Sequence, residues 1–156
     1  MRAEVPVVLL AGLALLVAGP GARAQESASL PEIDEARFLA EQAALPYLGG
    51  SDPFVLRESG WSGRLSPGGE KLIQVQLFRR NEYRFWFALP NRQAVASVNI
   101  YNGEGELIET ETVWYAGKHV VGTAIRPGAT GIHYVRIAIT RKSEQPEDWS
   151  VIYAYR

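Results

Sequence analysis

The segment Asn99–Thr110, NIYNGEGELIET, decides how the chain is read. Glu104, Glu106 and Glu109, with Glu111 just beyond, crowd around an Asn-Gly pair between two apolar runs. Such a segment is either an acidic, metal-binding or catalytic loop or the turn of a β-hairpin. The flanks favour the hairpin. Ala96, Val98 and Ile100 alternate with polar neighbours on one side. Ile108, Thr110, Thr112 and Trp114 alternate with Glu109 and Glu111 on the other. That period of two is the mark of a strand with one face buried. Residues 94–101 and 107–115 therefore read as two strands, and Asn102–Glu106 as their connection. Asn102 and Gly103 tolerate the positive φ of a tight hairpin, and Gly105 adds a second such position. A calcium loop would place Asp or Asn at alternate positions and add a bidentate acid. This loop has Asn102, Glu104, Glu106 and no Asp, so no metal or other cofactor is expected.

The same alternation runs outward in both directions. KLIQVQLF, 71–78, sets Ile73, Val75 and Leu77 against Gln74 and Gln76. EYRFWFAL, 82–89, groups Tyr83, Phe85, Phe87 and Leu89. KHVVGTAI, 118–125, IHYVRIAI, 132–139, and WSVIYAY, 149–155, continue the series. Turn residues separate the runs: Arg80-Asn81, Pro90-Asn91, Ala116-Gly117, Pro127-Gly128 and Gln145-Pro146. About seven or eight short strands at this spacing predict an all-β domain, an antiparallel sandwich or barrel. No intervening segment is long enough for a crossover helix.

Residues 1–53 have a different character. Arg2, the apolar run Val5–Ala18 and the Ala22-Arg23-Ala24 site have the layout of a secretory signal peptide, residues 1–24, cleaved before Gln25. The run is too short for a spanning helix and ends in Gly19-Pro20-Gly21, so no membrane span is expected after its removal. Residues 25–53 form an N-terminal helix and linker. Ser29 and Glu32 make a capping box, with Pro31 in the first turn. Ile33, Ala36, Ala40 and Ala43 recur at helical spacing, and Pro46 with Gly49-Gly50 ends the helix. An alanine stripe buries little area, so this helix is expected to lean on the main domain or stay loose. The domain itself spans 54–156.

Three segments of that domain carry a resemblance: GRLSPGGEKL (63–72), VNIYNGEGELI (98–108) and IRPGATGIHYVRIAI (125–139). In that order they resemble bacterial pre-peptidase C-terminal-type domains. The resemblance implies a jelly-roll-like β-sandwich and a non-catalytic accessory, targeting or binding role in an exported protein, periplasmic or extracellular. Its motifs are turn glycines and core aliphatics. The chain departs from the pattern at His133, where Tyr is usual, and at Ala96–Asn99, where acids are common.

The chemistry-bearing residues are few. There is no Cys, so neither thiol catalysis nor a disulfide is available. GWSGR, 60–64, is the nearest approach to a nucleophile elbow, but it precedes a strand and lacks the second glycine at the right spacing. The only Asp residues are Asp34, Asp52 and Asp148. If 118–125 and 132–139 pair as a hairpin, His119 and His133 stand about 17 Å apart and share no metal. His133 then joins the inward face with Val135, Ile137 and Ile139, and His119 is a surface strand residue. An enzyme is not expected; a small secreted hydrolase is the least favoured alternative. With 16 basic against 17 acidic residues and no basic stripe, nucleic acid is not an expected partner. The expected partner is a protein or a polysaccharide. Trp86, Tyr101 and Trp114, with Trp149, are the candidates for an exposed aromatic ligand-binding surface.

Overall fold

The computed structural model describes residues 32–115, 117, 119–139 and 144–156, with side-chain environments from Glu35 onward. The expected signal peptide and the Ser29 capping residue lie outside the described residues. Among the described residues helix α1, Glu32–Ala44, and a 3-10 turn, Leu45–Tyr47, precede ten strands. These are β1 (Val55–Leu56), β2 (Trp61–Leu65), β3 (Glu70–Leu77), β4 (Tyr83–Ala88), β5 (Ala96–Tyr101), β6 (Leu107–Ile108), β7 (Thr112–Tyr115), β8 (Val120–Ile125), β9 (Gly131–Ile139) and β10 (Glu147–Tyr155).

The strands form two antiparallel sheets, so the domain is an all-β sandwich. One sheet has the order β1-β10-β4-β8-β7, with β2 beside β1 along the same edge of β10; the other has the order β3-β9-β5-β6. Between them lies a core of Ile73, Val75, Leu77, Val98, Ile100, Val135 and Ile137 from the four-stranded sheet. It meets Phe85, Phe87, Leu89, Val121, Trp149 and Val151 from the six-stranded one. The alternation in KLIQVQLF and AVASVNIY therefore reports the buried face directly.

Two expectations about strand pairing are corrected. Residues 107–115 are two strands: β6 pairs with β5 in the four-stranded sheet, and β7 pairs with β8 in the six-stranded sheet. Glu109–Glu111 carry the chain from one sheet to the other. The phase resets there, so that Trp114 points outward while Val113 and Tyr115 are half-buried. Nor do residues 118–125 and 132–139 form a hairpin. β8 lies between β4 and β7, β9 lies between β3 and β5, and Arg126–Thr130 crosses between the sheets. Two short β-runs joined by five residues suit either a hairpin or a crossing. The choice here is made by the partners β4, β3 and β5, which are remote in sequence.

The loop of the 99–110 segment is the expected hairpin turn, closed by Asn102. Its amide N–H donates to Glu106 O (2.9 Å), and its Oδ1 accepts from the amides of Glu104 (3.1 Å) and Glu106 (2.8 Å). Its Nδ2 donates to Glu106 Oε2 at 2.8 Å. Gly105 adopts φ +83°. Gly103 does not have positive φ; a Cβ there would stand 3.1 Å from Ile132 O, so a close backbone approach is what favours glycine.

The outer face of the six-stranded sheet is covered. Trp86, Ala88, Val120, Ile152 and Ala154 form an apolar surface on β4, β8 and β10, and Ala40, Ala43 and Ala44 of α1 pack on it. Alanine on both partners lets helix and sheet backbones come close, and Trp86 fills the remaining gap beneath Tyr47, ring centroids 5.6 Å apart. Alanine thus serves for intimate docking, not loose leaning. Tyr47 and Tyr115 share a hydroxyl hydrogen bond of 2.8 Å that ties the 3-10 turn to β7. Burial, and then that bond, push the Tyr115 hydroxyl up to about 12. Among the described residues no helix is long and apolar enough to cross a membrane.

Candidate functional site

The outer face of the four-stranded sheet has no such cover among the described residues. Its outward residues follow from the pleat: Leu72, Gln74 and Gln76 on β3, Ile132, Tyr134 and Arg136 on β9, Asn99 and Tyr101 on β5, and Leu107 on β6. The registers are Gln74 opposite Tyr134, Tyr134 opposite Tyr101, and Tyr101 opposite Leu107. One row of side chains therefore crosses all four strands, about 14 Å from end to end at the usual strand spacing. On either side lie the trio Leu72–Arg136–Asn99 and the pair Gln76–Ile132. Leu72 is 55% exposed, Leu107 56% and Ile132 42%, whereas Tyr101 and Tyr134 are half-buried. Half-burial holds a ring in place while leaving one side open to a ligand. The face is nearly neutral: Arg136 is engaged by Glu70, with Nε 3.0 Å from Oε2. The remaining polar groups are amides and phenols, which both donate and accept hydrogen bonds.

The aromatic candidates from the sequence are not brought together. Tyr101 lies on this open face. Trp86, 1% exposed, lies beneath α1, which corrects its reading as a surface residue. Its phase opposite to Phe85 and Phe87 does point it outward, but the helix covers that face. Trp114, 40% exposed, sits on the edge strand β7 of the other sheet. Trp149 is in the core, its ring over Gly63, where a Cβ would approach to 3.2 Å. Tyr134 is the residue the sequence reading missed, although its alternation with His133 and Val135 in IHYVRIAI already marks it as outward.

The histidines lie on different sheets. His133 is buried on the inward side of β9, Nδ1 3.1 Å from Gly131 O. His119, expected at the surface, is buried where the chain enters β8. Its Nδ1 is 3.0 Å from Leu89 O, and Arg92 Nε donates to its Nε2 at 2.8 Å. A guanidinium only donates, so Nε2 is the acceptor and Nδ1 carries the proton. Ser62, in the segment resembling an elbow, is on strand β2 and bonds Ser150 Oγ at 3.0 Å. Asp148 receives both Nε and Nη2 of Arg64, at 2.7 and 2.9 Å. Among the described residues no set of three or more His, Asp or Glu is placed to hold a metal.

No family model matches the chain, and no curated protein matches it. Among solved structures it is similar to a Bacillus licheniformis lipase in its propeptide form, with 11% identity and a TM-score of 0.41. That similarity covers 76% of this chain and 27% of the lipase chain, so the present chain spans about a quarter of that protein.

Proposed function

We propose that the chain is an exported, non-catalytic binding module that uses the open face of its four-stranded sheet. The observation that carries this reading is the asymmetry of the two outer faces. One is capped by α1, whereas the other, uncovered among the described residues, leaves Tyr101 and Tyr134 in register beside Leu72, Leu107 and Ile132. An open surface with several large apolar groups has a cost in water that a partner relieves. The resemblance of residues 54–156 to pre-peptidase C-terminal-type domains points to the same class of role, and the leader-like residues 1–24 to export.

A polysaccharide is the ligand class favoured. The row Gln74–Tyr134–Tyr101–Leu107 offers ring faces for the apolar sides of sugars and amides for their hydroxyls, without net charge. The test is affinity electrophoresis through gels containing a panel of soluble polysaccharides, comparing the wild type with Tyr101→Ala/Tyr134→Ala. Retardation of the wild type by at least one polymer, lost in the double variant, is expected. Retardation by none, or equal retardation of both proteins, refutes the polysaccharide reading.

A further inference from the structure

We propose that a second site, an arginine-lined cleft at the β3–β4 end of the sandwich, binds a phosphate group. This inference is independent of the sheet-face reading. The cleft has a volume of about 470 Å³ and is lined by Asp52, Arg79, Arg80, Glu82, Arg126 and Arg156, among others. The four arginines outnumber the two acids, in a chain whose net charge is −1.

The acids are already engaged. Glu82, its side chain 11% exposed, receives Arg126 Nη2 at 2.8 Å and Arg156 Nη2 at 2.9 Å. Asp52 receives Arg156 Nη1 at 2.8 Å. Arg79 and Arg80 are exposed and form no ion pair among the described residues. The cleft is thus built as a half-buried carboxylate holding two guanidinium groups in place, with two more beside them. The charge field agrees: burial alone would raise the Glu82 carboxyl, yet the bonds from Arg126 and Arg156 hold it below the usual carboxylate value.

The backbone keeps the arginines together. The amide of Arg79 donates to Thr130 Oγ1 at 2.9 Å, pinning the β3–β4 turn to the segment that carries Arg126. Arg80 has φ +80°, the one non-glycine residue with positive φ among the described residues. Gly or Asn would occupy that position with less strain. The turn therefore presents a guanidinium against its own backbone preference.

Arginine's planar fork matches two phosphate oxygens at once, which a lysine ammonium does not. The phosphate could belong to a soluble phosphorylated compound or to a lipid headgroup. In the second case Phe78, 53% exposed and next to Arg79, would enter the headgroup layer. Two arms separate these sources in the full chain: calorimetric titration with pyrophosphate, and co-sedimentation with phosphatidylglycerol vesicles against phosphatidylcholine vesicles. Binding in at least one arm is expected, weakened by salt because exposed charges are screened within about 10 Å at ~0.1 M. Arg79→Gln/Arg80→Gln should weaken it at least about tenfold. Lys71→Gln, at the opposite end of β3, should leave it unchanged, and both variants should keep the wild-type melting temperature. Pyrophosphate binding identifies a soluble ligand; vesicle binding without it identifies a headgroup. Binding in neither arm, or undiminished binding by the double variant, overturns the proposal.

Discussion

Replacing Trp86 by Ala tests whether the N-terminal helix is a structural layer of the domain. Trp86 is 1% exposed and fills the space between β4 and α1, with Ala40, Ala43, Ala44, Phe54, Val120 and Ile152 in the same cluster. A buried aromatic of this size removes about 150–250 Å² from water. At roughly 25 cal/mol per Å² that is about 4–6 kcal/mol as an upper bound. Alanine keeps part of this, but the thin alanine interface cannot collapse into the space left behind. A loss of about 3–5 kcal/mol follows. For a domain of this size it lowers the melting temperature by roughly 10–20 °C. Differential scanning calorimetry measures the shift, and limited proteolysis should show faster cleavage before Phe54 in the variant. Trp114→Ala, on the exposed edge strand, should stay within about 1 kcal/mol. A Trp86→Ala protein that melts with the wild type and resists protease equally would refute the layered packing.

Three further outcomes are expected. Ile100→Ala, fully buried between the sheets, should cost about 2–5 kcal/mol in urea unfolding, while Glu109→Gln should stay within about 0.5 kcal/mol; the reverse order would restore the acidic stretch as a site. Gly105→Val should cost about 1–2 kcal/mol, because φ +83° disfavours a side chain even though the space around it is open; an unchanged urea midpoint would show that the turn has another conformation. The folded chain holds Glu82 below its ordinary value of 4.5, so its contribution is full above that pH and is lost as pH falls through the lower folded value. Melting curves should therefore decline more steeply below about pH 4.5 in the wild type than in Glu82→Gln, and parallel decline would contradict this.

Local pattern carried some features of the fold and not others. Ile73, Val75 and Leu77, or Val98 and Ile100, each reveal an inward face because that face is buried and the other is not. FWFAL and WSVIYAY are apolar in both phases. This is the pattern of strands buried on both sides; what covers the second side, the helix over Trp86 and Ile152, is seen only in the fold. Sheet membership left no local trace: the reset at Glu109–Glu111 and the crossing at Arg126–Thr130 depend on strands far along the chain. The burial of His119 was equally unreadable, since it depends on Leu89 O and Arg92, about 30 residues away. Of the open face, Tyr101 was legible from phase and Tyr134 could have been. Their adjacency needed the register of β5 against β9. The arginine cleft joins a turn, a crossing segment and Arg156, just after β10, and no spacing rule connects those.

Amide chemical-shift mapping, with the polysaccharide that retards the protein most, tests the central claim most directly. The perturbed residues should fall on β3, β9, β5 and β6 around Gln74, Tyr134, Tyr101 and Leu107, and Tyr101→Ala/Tyr134→Ala should weaken binding at least about tenfold, about 1.4 kcal/mol. Perturbations centred instead on α1, β4, β8 and β10 would contradict the claim that the outer face of the four-stranded sheet is the binding surface.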